Sequence, residues 1–260
     1  MTPALVRQRS LASRIWSHAV DAVFPPRCVS CRAFGRFVCG DCSARIVRAE
    51  RPRCGVCWQP SADRRCQHCQ HEQPAFTAVR SVYAYGGPAR DLIHALKYSG
   101  VSAVAPLVGE EMAGLLLHWG PGVSAVVPVP MAGSRRRRRG YNQSELLARE
   151  IGRFAGMPVA RRALVRRAGP SQVEQPDEAA RRANMSDAFA AGREPVGDCV
   201  LLVDDTMTTG ATLDACARVL RSAGADRIYG LTFARESLKA LPNGRLRRDS
   251  QAAYNRSQER

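Results

Sequence analysis

The spacing of apolar residues along this chain changes period several times, and each change marks an element. Cys199–Val203 is a continuous apolar run, which suits a strand buried on both faces of a parallel sheet. Leu213, Cys216, Ala217 and Leu220 then recur at helical spacing, and Gly224 stands where a helix-ending glycine belongs. Ile228–Phe233 is apolar again, which completes a β-loop-α-β unit. Upstream, Val79, Val82, Tyr83 and Tyr85 predict a strand, and residues 89–98 a helix with Leu92, Ile93 and Leu96 on one face. Val104, Leu107, Val108, Leu115 and Trp119 predict a longer helix, and Ala125–Val129 the next strand. Asn142 and Glu145 form a capping-box-like pair before a helix that buries Leu147, Ile151 and Phe154. The alternation predicts an α/β domain over 75–236, a parallel sheet flanked by helices. Leu11, Ile15, Val20 and Phe24 mark a short amphipathic helix within 1–24, stopped by Pro25-Pro26. The segment 237–260 is polar, basic and aperiodic, the pattern of a disordered tail.

Residues 25–74 have few large apolar side chains and carry eight of the ten cysteines. They form four C-x₂-C knuckles, and two such knuckles complete one tetrahedral Zn²⁺ site. Two structural zinc ions are therefore expected, substituting for a core. Sequential pairing would group Cys28, Cys31, Cys39 and Cys42, then Cys54, Cys57, Cys66 and Cys69; interleaved pairing is the alternative. Disulfides are the competing reading of the same cysteines. With eight thiols present, His68 and His71 read as neighbours rather than ligands. Cys199 and Cys216 read as small core residues.

The chemistry concentrates after the Cys199 strand, in Asp204-Asp205-Thr206-Met207-Thr208-Thr209-Gly210-Ala211-Thr212. A helix N-terminus offers unpaired N–H groups and partial positive charge to an anion. Gly210 permits close approach, and Thr206, Thr208, Thr209 and Thr212 add hydroxyls. Two adjacent carboxylates do not also hold a phosphate; they hold hydroxyls or hydrated Mg²⁺. A ribose 5-phosphate satisfies both halves. An ordinary polar turn is the plain alternative. The loop lacks the Gly-Lys-Ser/Thr ending of a Walker A motif and the G-x-G-x-x-G of a Rossmann fold.

Arg135–Arg139 is a run of five arginines, followed by Gly140-Tyr141-Asn142-Gln143. Arg139 and the Asn142 helix start would hold a pyrophosphate; a solvated charged loop is the alternative. Lys97 is one of only two lysines. It reads either as a phosphate contact or as a solvated helix end. Residues 165–188 are polar with Gly169-Pro170 and Pro176, the pattern of an active-site lid.

The net charge of +16 and pI near 10.2 come almost wholly from arginine, which fits attraction to a polyanion or a proteome-wide habit. No run approaches the about 20 apolar residues that span a bilayer. No apolar stretch before Asp21 resembles a signal peptide, so a cytoplasmic protein with no membrane insertion is expected.

Val203–Thr212 resembles the PRPP-binding signature of type I phosphoribosyltransferases. The resemblance implies a type I phosphoribosyltransferase-like fold, with Asp204 and Asp205 on the ribose hydroxyls as catalytic residues. It places Thr206, Thr208, Thr209, Gly210, Ala211 and Thr212 on the 5′-phosphate. Ala211 departs from the glycine many members carry. Over about residues 15–235 the chain is similar to the ComF (GntX-like) competence-associated family. The similarity rests on Pro25-Pro26-Arg27-Cys28 and its knuckles, Leu96-Lys97-Tyr98-Ser99-Gly100, Val127-Pro128-Val129-Pro130, Arg139-Gly140-Tyr141-Asn142-Gln143, a lid with Gln172, Arg181 and Asn184, and the PRPP loop. Ala168-Gly169-Pro170-Ser171 precedes Gln172 where members often have threonine. The resemblance implies a zinc-finger N-terminus, Mg²⁺-PRPP as ligand and a role in DNA uptake. Single-stranded DNA and a competence-machinery helicase would be partners. Two functions follow: phosphoribosyl transfer to a nitrogen acceptor, or zinc-dependent single-stranded DNA binding with a regulatory or relic PRPP site.

Overall fold

The structure, a computed structural model, describes residues 25–98, 102–167, 188–240 and 246–248. The expected N-terminal helix (1–24) and the lid residues Gln172, Arg181 and Asn184 lie outside the described residues.

The cysteine-rich segment carries two short helices, α1 (Gly40–Ala44) and α2 (Gln67–Glu72). Then come β1 (Ala78–Ala84), α3 (Gly87–Tyr98), α4 (Ala105–Trp119), β2 (Ala125–Pro128), α5 (Gly133–Arg139) and α6 (Gln143–Ala155). The hairpin strands β3 (Leu164–Arg166) and β4 (Phe189–Ala191) precede β5 (Cys199–Met207), α7 (Ala211–Ser222) and β6 (Arg227–Arg235). Within the segment expected to be a disordered tail, β7 (Leu238–Ala240) pairs antiparallel with β8 (Leu246–Arg248).

The main sheet runs β1-β6-β5-β2, with every neighbour parallel. Successive residues of a strand face opposite sides, and β5 shows what that requires. Leu201 and Val203 enter an apolar cluster with Leu92, Leu96, Val108, Met112, Leu147 and Ile151, contributed by α3, α4 and α6. Val200 and Leu202 enter a second cluster with Leu213, Cys216 and Leu220 of α7. That second cluster also contains Cys54, Cys57 and Cys69, so one cysteine site does the covering work of a helix. Cys199 and Cys216 are buried in these cores, and burial pushes both thiols up, as inert packing residues require. Helices α4 and α6 cross closely, since a Cβ at Gly109 would lie 2.3 Å from Glu150 Cβ.

The cysteine module is sewn to the sheet. The Ala49 amide donates to the Val82 carbonyl (2.9 Å) and the Ala84 amide to that of Val47 (2.9 Å), across an antiparallel Arg48–Tyr83 bridge. This segment covers the β1 edge that β6 leaves free.

Two local expectations change. The apolar run predicts β5 to end near Val203, but pairing with β6 carries it through Asp204–Thr232 and Thr206–Ala234 to Met207. Strand partners override the weak β preference of aspartate. The five arginines, expected in a loop, form α5 instead. Arginine is a good helix former, no α5 residue is buried, and four of the five lie in the last turn, where the helix dipole favours cations.

Candidate functional site

The four sulfurs of Cys28, Cys31, Cys39 and Cys42 lie within 4.8 Å of one another, as do those of Cys54, Cys57, Cys66 and Cys69. Sequential pairing is thus the arrangement adopted. The Cys31–Cys39 and Cys57–Cys66 Sγ separations are 3.5 and 3.6 Å. Tetrahedral Zn–S bonds of about 2.3 Å place sulfurs about 3.8 Å apart, so both clusters fit zinc after a small outward adjustment. All ten cysteines are free thiols. In the first cluster, burial pushes Cys28 up, but backbone hydrogen bonds at Cys31, Cys39 and Ser30 outweigh it and bring the thiol to about 6. The Cys66 amide donates to Cys54 Sγ (3.4 Å), the kind of contact that fixes a thiolate ligand. Structural zinc is supported at both clusters.

The second site lies at the carboxyl ends of β5 and β2, the edge at which open parallel sheets bind ligands. Asp204 and Asp205 lie within the last four residues of β5, and three side chains from distant segments converge on them. Lys97 Nζ, in the last turn of α3, is 2.8 Å from Asp205 Oδ1. Gln143 Nε2 donates to Asp205 Oδ2 (3.0 Å), and Ser144 Oγ donates to Asp204 Oδ1 (2.8 Å). The Asp205 amide also donates to Asp204 Oδ1 (2.9 Å).

Burial and the Asp205 charge push the Asp204 carboxyl up to about 7, against the Ser144 hydrogen bond and the Lys97 charge. Burial would lower Lys97, but the Asp205 carboxylate outweighs it and the ammonium is held above its ordinary value. Asp204 therefore sits near a protonation boundary at neutral pH.

The threonine loop joins this crevice to α7. Gly210 has φ +90° and precedes the first helical residue, a left-handed geometry that favours glycine. A Cβ there would also meet Met207 Cε at 2.5 Å. The Ala211 amide donates to Thr209 Oγ1 (3.3 Å), and the Thr208 carbonyl accepts from Arg235.

Asn142 and Arg139, expected on a pyrophosphate, take different places. Asn142 is buried, accepts from the Ser144 amide (3.2 Å) as the cap of α6, and donates to the Val129 carbonyl (3.0 Å). It positions Gln143 and Ser144. Glu145 ion-pairs with Arg149 (3.0 Å) and Arg161. Arg139 packs its guanidinium 4.8 Å above the Tyr98 ring, and Tyr141 Oη donates to the Leu96 carbonyl (2.7 Å), tying the approach to α6 to the turn that carries Lys97. Three buried side-chain atoms around the crevice, Arg139 Nε, Gln143 Oε1 and Thr206 Oγ1, have no hydrogen-bond partner within the protein. Buried polar atoms are nearly always paired, so these point to a polar ligand. Sequence reasoning missed Gln143 and Ser144 as contacts of the aspartates. The available signal was their place as the first two residues of a capped helix at the same sheet edge.

Among relatives with assigned names, the chain is 29% identical over 212 residues to the DNA utilization protein YhgH of Escherichia coli K12, spanning 77% of this chain and 93% of that one. It is 28% identical over 228 residues to competence protein F of Haemophilus influenzae (80% and 96%), and 25% identical over 197 residues to competence protein ComFC of Bacillus subtilis (72% and 79%). These relatives bear out the ComF resemblance. Residues 19–72 match the double zinc ribbon domain. Structural neighbours include the purine phosphoribosyltransferase of Pyrococcus horikoshii, at 16% identity over 54% of this chain and 75% of that one, TM-score 0.32. A hypoxanthine phosphoribosyltransferase of Staphylococcus aureus overlaps at 16% identity over 59% and 71%, TM-score 0.33. Overlaps of that degree carry no weight beyond the fold. No helix among the described residues is long and apolar enough to cross a membrane.

Proposed function

We propose that the crevice binds Mg²⁺-PRPP and transfers its phosphoribosyl group to a nitrogen acceptor, in a protein that serves the handling of DNA. The observation that carries this reading is the adjacent pair Asp204 and Asp205, held by Lys97, Gln143 and Ser144 beside a threonine–glycine loop at the start of α7. The carboxylates would accept hydrogen bonds from the ribose hydroxyls. The loop amides and the hydroxyls of Thr208, Thr209 and Thr212 would hold the 5′-phosphate. Arg139, stacked over Tyr98 next to Lys97, would have to turn from that ring to contact the pyrophosphate. In transfer, the C1–oxygen bond to pyrophosphate breaks and its electron pair leaves with pyrophosphate. The acceptor nitrogen's lone pair forms the new C1–N bond, and its proton passes to water. The ribose carries cationic character between these events, which the carboxylates stabilise. Mg²⁺ takes one or two carboxylates together with phosphate oxygens, a donor set this crevice fits; when bound it would neutralise charge on the leaving pyrophosphate. The free thiols fit a reducing, cytoplasmic compartment.

Calorimetric titration of Mg²⁺-PRPP into zinc-loaded protein, beside Asp204→Asn/Asp205→Asn, tests the reading. Saturable binding that the double variant loses is expected. A folded, zinc-loaded protein that does not bind would overturn it.

Single-stranded DNA binding is a second reading, favoured by one observation. A groove of about 510 Å³ between the cysteine module and the sheet is lined by Arg48, Arg51, Arg80, His118, Trp58 and Trp119. The Arg80 guanidinium lies 4.2 Å from the Trp58 ring and 4.8 Å from that of Trp119. Arginine and aromatic side chains together suit a strand with exposed bases. Trp58 itself is buried under Arg80, so Trp119 and the exposed Phe34 are the better stacking surfaces. The names of the relatives support this reading, and a helicase partner belongs with it.

A further inference from the structure

The two adjacent aspartates are not equivalent. Asp205 is 4% exposed, and both its oxygens meet donors from other elements. Oδ1 faces the Lys97 ammonium at 2.8 Å, and Oδ2 accepts from Gln143 Nε2 at 3.0 Å. Asp204 is partly exposed. Its Oδ1 accepts from Ser144 Oγ (2.8 Å) and from the Asp205 amide (2.9 Å), while its Oδ2 meets no donor among the described residues. Lys97 is the only basic side chain among the described residues that pairs with either aspartate. Its neighbours on both sides are anchored. The Leu96 carbonyl accepts from Tyr141 Oη (2.7 Å), and the Tyr98 ring lies 4.8 Å from the Arg139 guanidinium. The ammonium is thus held against Asp205 by the turn that carries it, and the free oxygen of the pair belongs to Asp204.

We infer that Lys97 is the resident cation of this pair: it keeps a free divalent metal off the carboxylates, and it leaves Asp204 as the one that meets a ligand, with Asp205 a positioning residue. A divalent ion on Asp205 Oδ1 would share that oxygen with an ammonium 2.8 Å away. The two cations would repel in a place with little water to screen them. Mg²⁺ also demands near-octahedral oxygens and gives up its water reluctantly. One open oxygen on Asp204, beside an ammonium, does not meet that demand. A neutral hydroxyl carries no such penalty. It donates to Asp204 Oδ2 and leaves the Lys97–Asp205 pair intact. The ligand chemistry at the pair is therefore a sugar hydroxyl, and a metal enters only together with phosphate oxygens that already hold it. The hydroxyl half of this inference rests on the proposed PRPP site.

The test uses the full zinc-loaded chain with Mn²⁺ alone as the probe, its free fraction read by electron paramagnetic resonance. Mn²⁺ is the weakest binder of the first-row divalent ions, so it leaves zinc on the cysteines. The parent should show no Mn²⁺ site that Asp204→Asn removes. Lys97→Met should gain a Mn²⁺ site at least about tenfold tighter than any in the parent, because a unit charge a few Å away is gone. Lys97→Met/Asp204→Asn should lose that site again. Lys97→Arg keeps the charge and should gain nothing. Should Lys97→Met fail to fold, Lys97→Gln, which can still donate to Asp205, carries the test. Equal Mn²⁺ binding by parent and Lys97→Met, or a gain by Lys97→Arg that matches it, would overturn the inference. A second arm titrates ribose 5-phosphate in metal-free buffer by calorimetry. Asp204→Asn should lose at least about tenfold in affinity, the worth of one hydrogen bond to a charged group, while Lys97→Met/Asp205→Asn stays near the parent. The reverse order would overturn the division between the two aspartates. A parent that binds neither ribose 5-phosphate nor PRPP would refute the proposed function, and the Mn²⁺ arm then decides this inference alone.

Discussion

Replacing Lys97 by methionine should weaken the fold in a pH-dependent way. The ammonium sits 2.8 Å from Asp205 Oδ1, with side chains 23% and 6% exposed. Removing one partner of a buried pair costs about 3–5 kcal/mol. Gln143 still donates to Asp205, and Lys97 is partly hydrated, so the low end applies, about 3 kcal/mol. The size depends on protonation. Lys97 is one of the groups that hold Asp204 down, so its loss raises the carboxyl further above about 7. Once Asp204 is neutral, less negative charge in the pair is left for the cation to offset. The penalty should be smaller near pH 5.5 and grow as pH rises through 7. Thermal melts across pH 5.5–8.5 read this directly. At about 2–4 °C per kcal/mol for a chain of this size, Tm should fall by roughly 6–12 °C at pH 8 and by less at pH 5.5. Adding Asp205→Asn should recover part of the loss, a coupling of at least about 1 kcal/mol. Equal Tm for parent and variant at pH 8, or a drop that ignores pH, would refute the reasoning.

Other outcomes follow from the same geometry. The Asp204 carboxyl is pushed from 3.8 to about 7, so its stabilising contribution is present below about pH 4 and lost as pH rises through about 7. Ligand binding needs the carboxylate, so PRPP affinity should rise from pH 6 to 8 with proton release, seen by calorimetry in buffers of different ionisation heat. Gly210→Ala places a side chain at φ +90°, so the variant should lose about 1–2 kcal/mol of stability and most PRPP affinity; unchanged binding would remove the loop from the site. Metal analysis should find two zinc ions per chain. If DNA binding is electrostatic, its affinity should fall steeply with salt, and Arg51→Ala should flatten the slope; a salt-independent affinity would sink that reading.

How legible each part was depends on how local its cause is. The knuckles were legible because a C-x₂-C turn aims two sulfurs by its own geometry, and sequential pairing needs only the short link between neighbouring knuckles. The β5-loop-α7 unit was legible because the change from continuous apolar to helical period is a local signal, and its carboxylates and threonines adjoin that change. The five arginines were misplaced in a loop, since like charge argued against order while helix propensity and the dipole argued for it.

The sequence by itself determined the alternating α/β plan, the eight metal-ligating thiols and the identities of Asp204, Asp205 and the loop that follows them. Each of these rests on periodicity or on spacing within a few residues. Only the tertiary structure decided what holds the carboxylates. Lys97, Gln143 and Ser144 reach them from two other helices, and Arg235 reaches the loop from the end of a neighbouring strand. Their positions carry no periodic mark, because a helix end or a strand end looks the same whether it meets water or a buried charge. The sheet order that brings β5 beside β2 and β6 settles which it is.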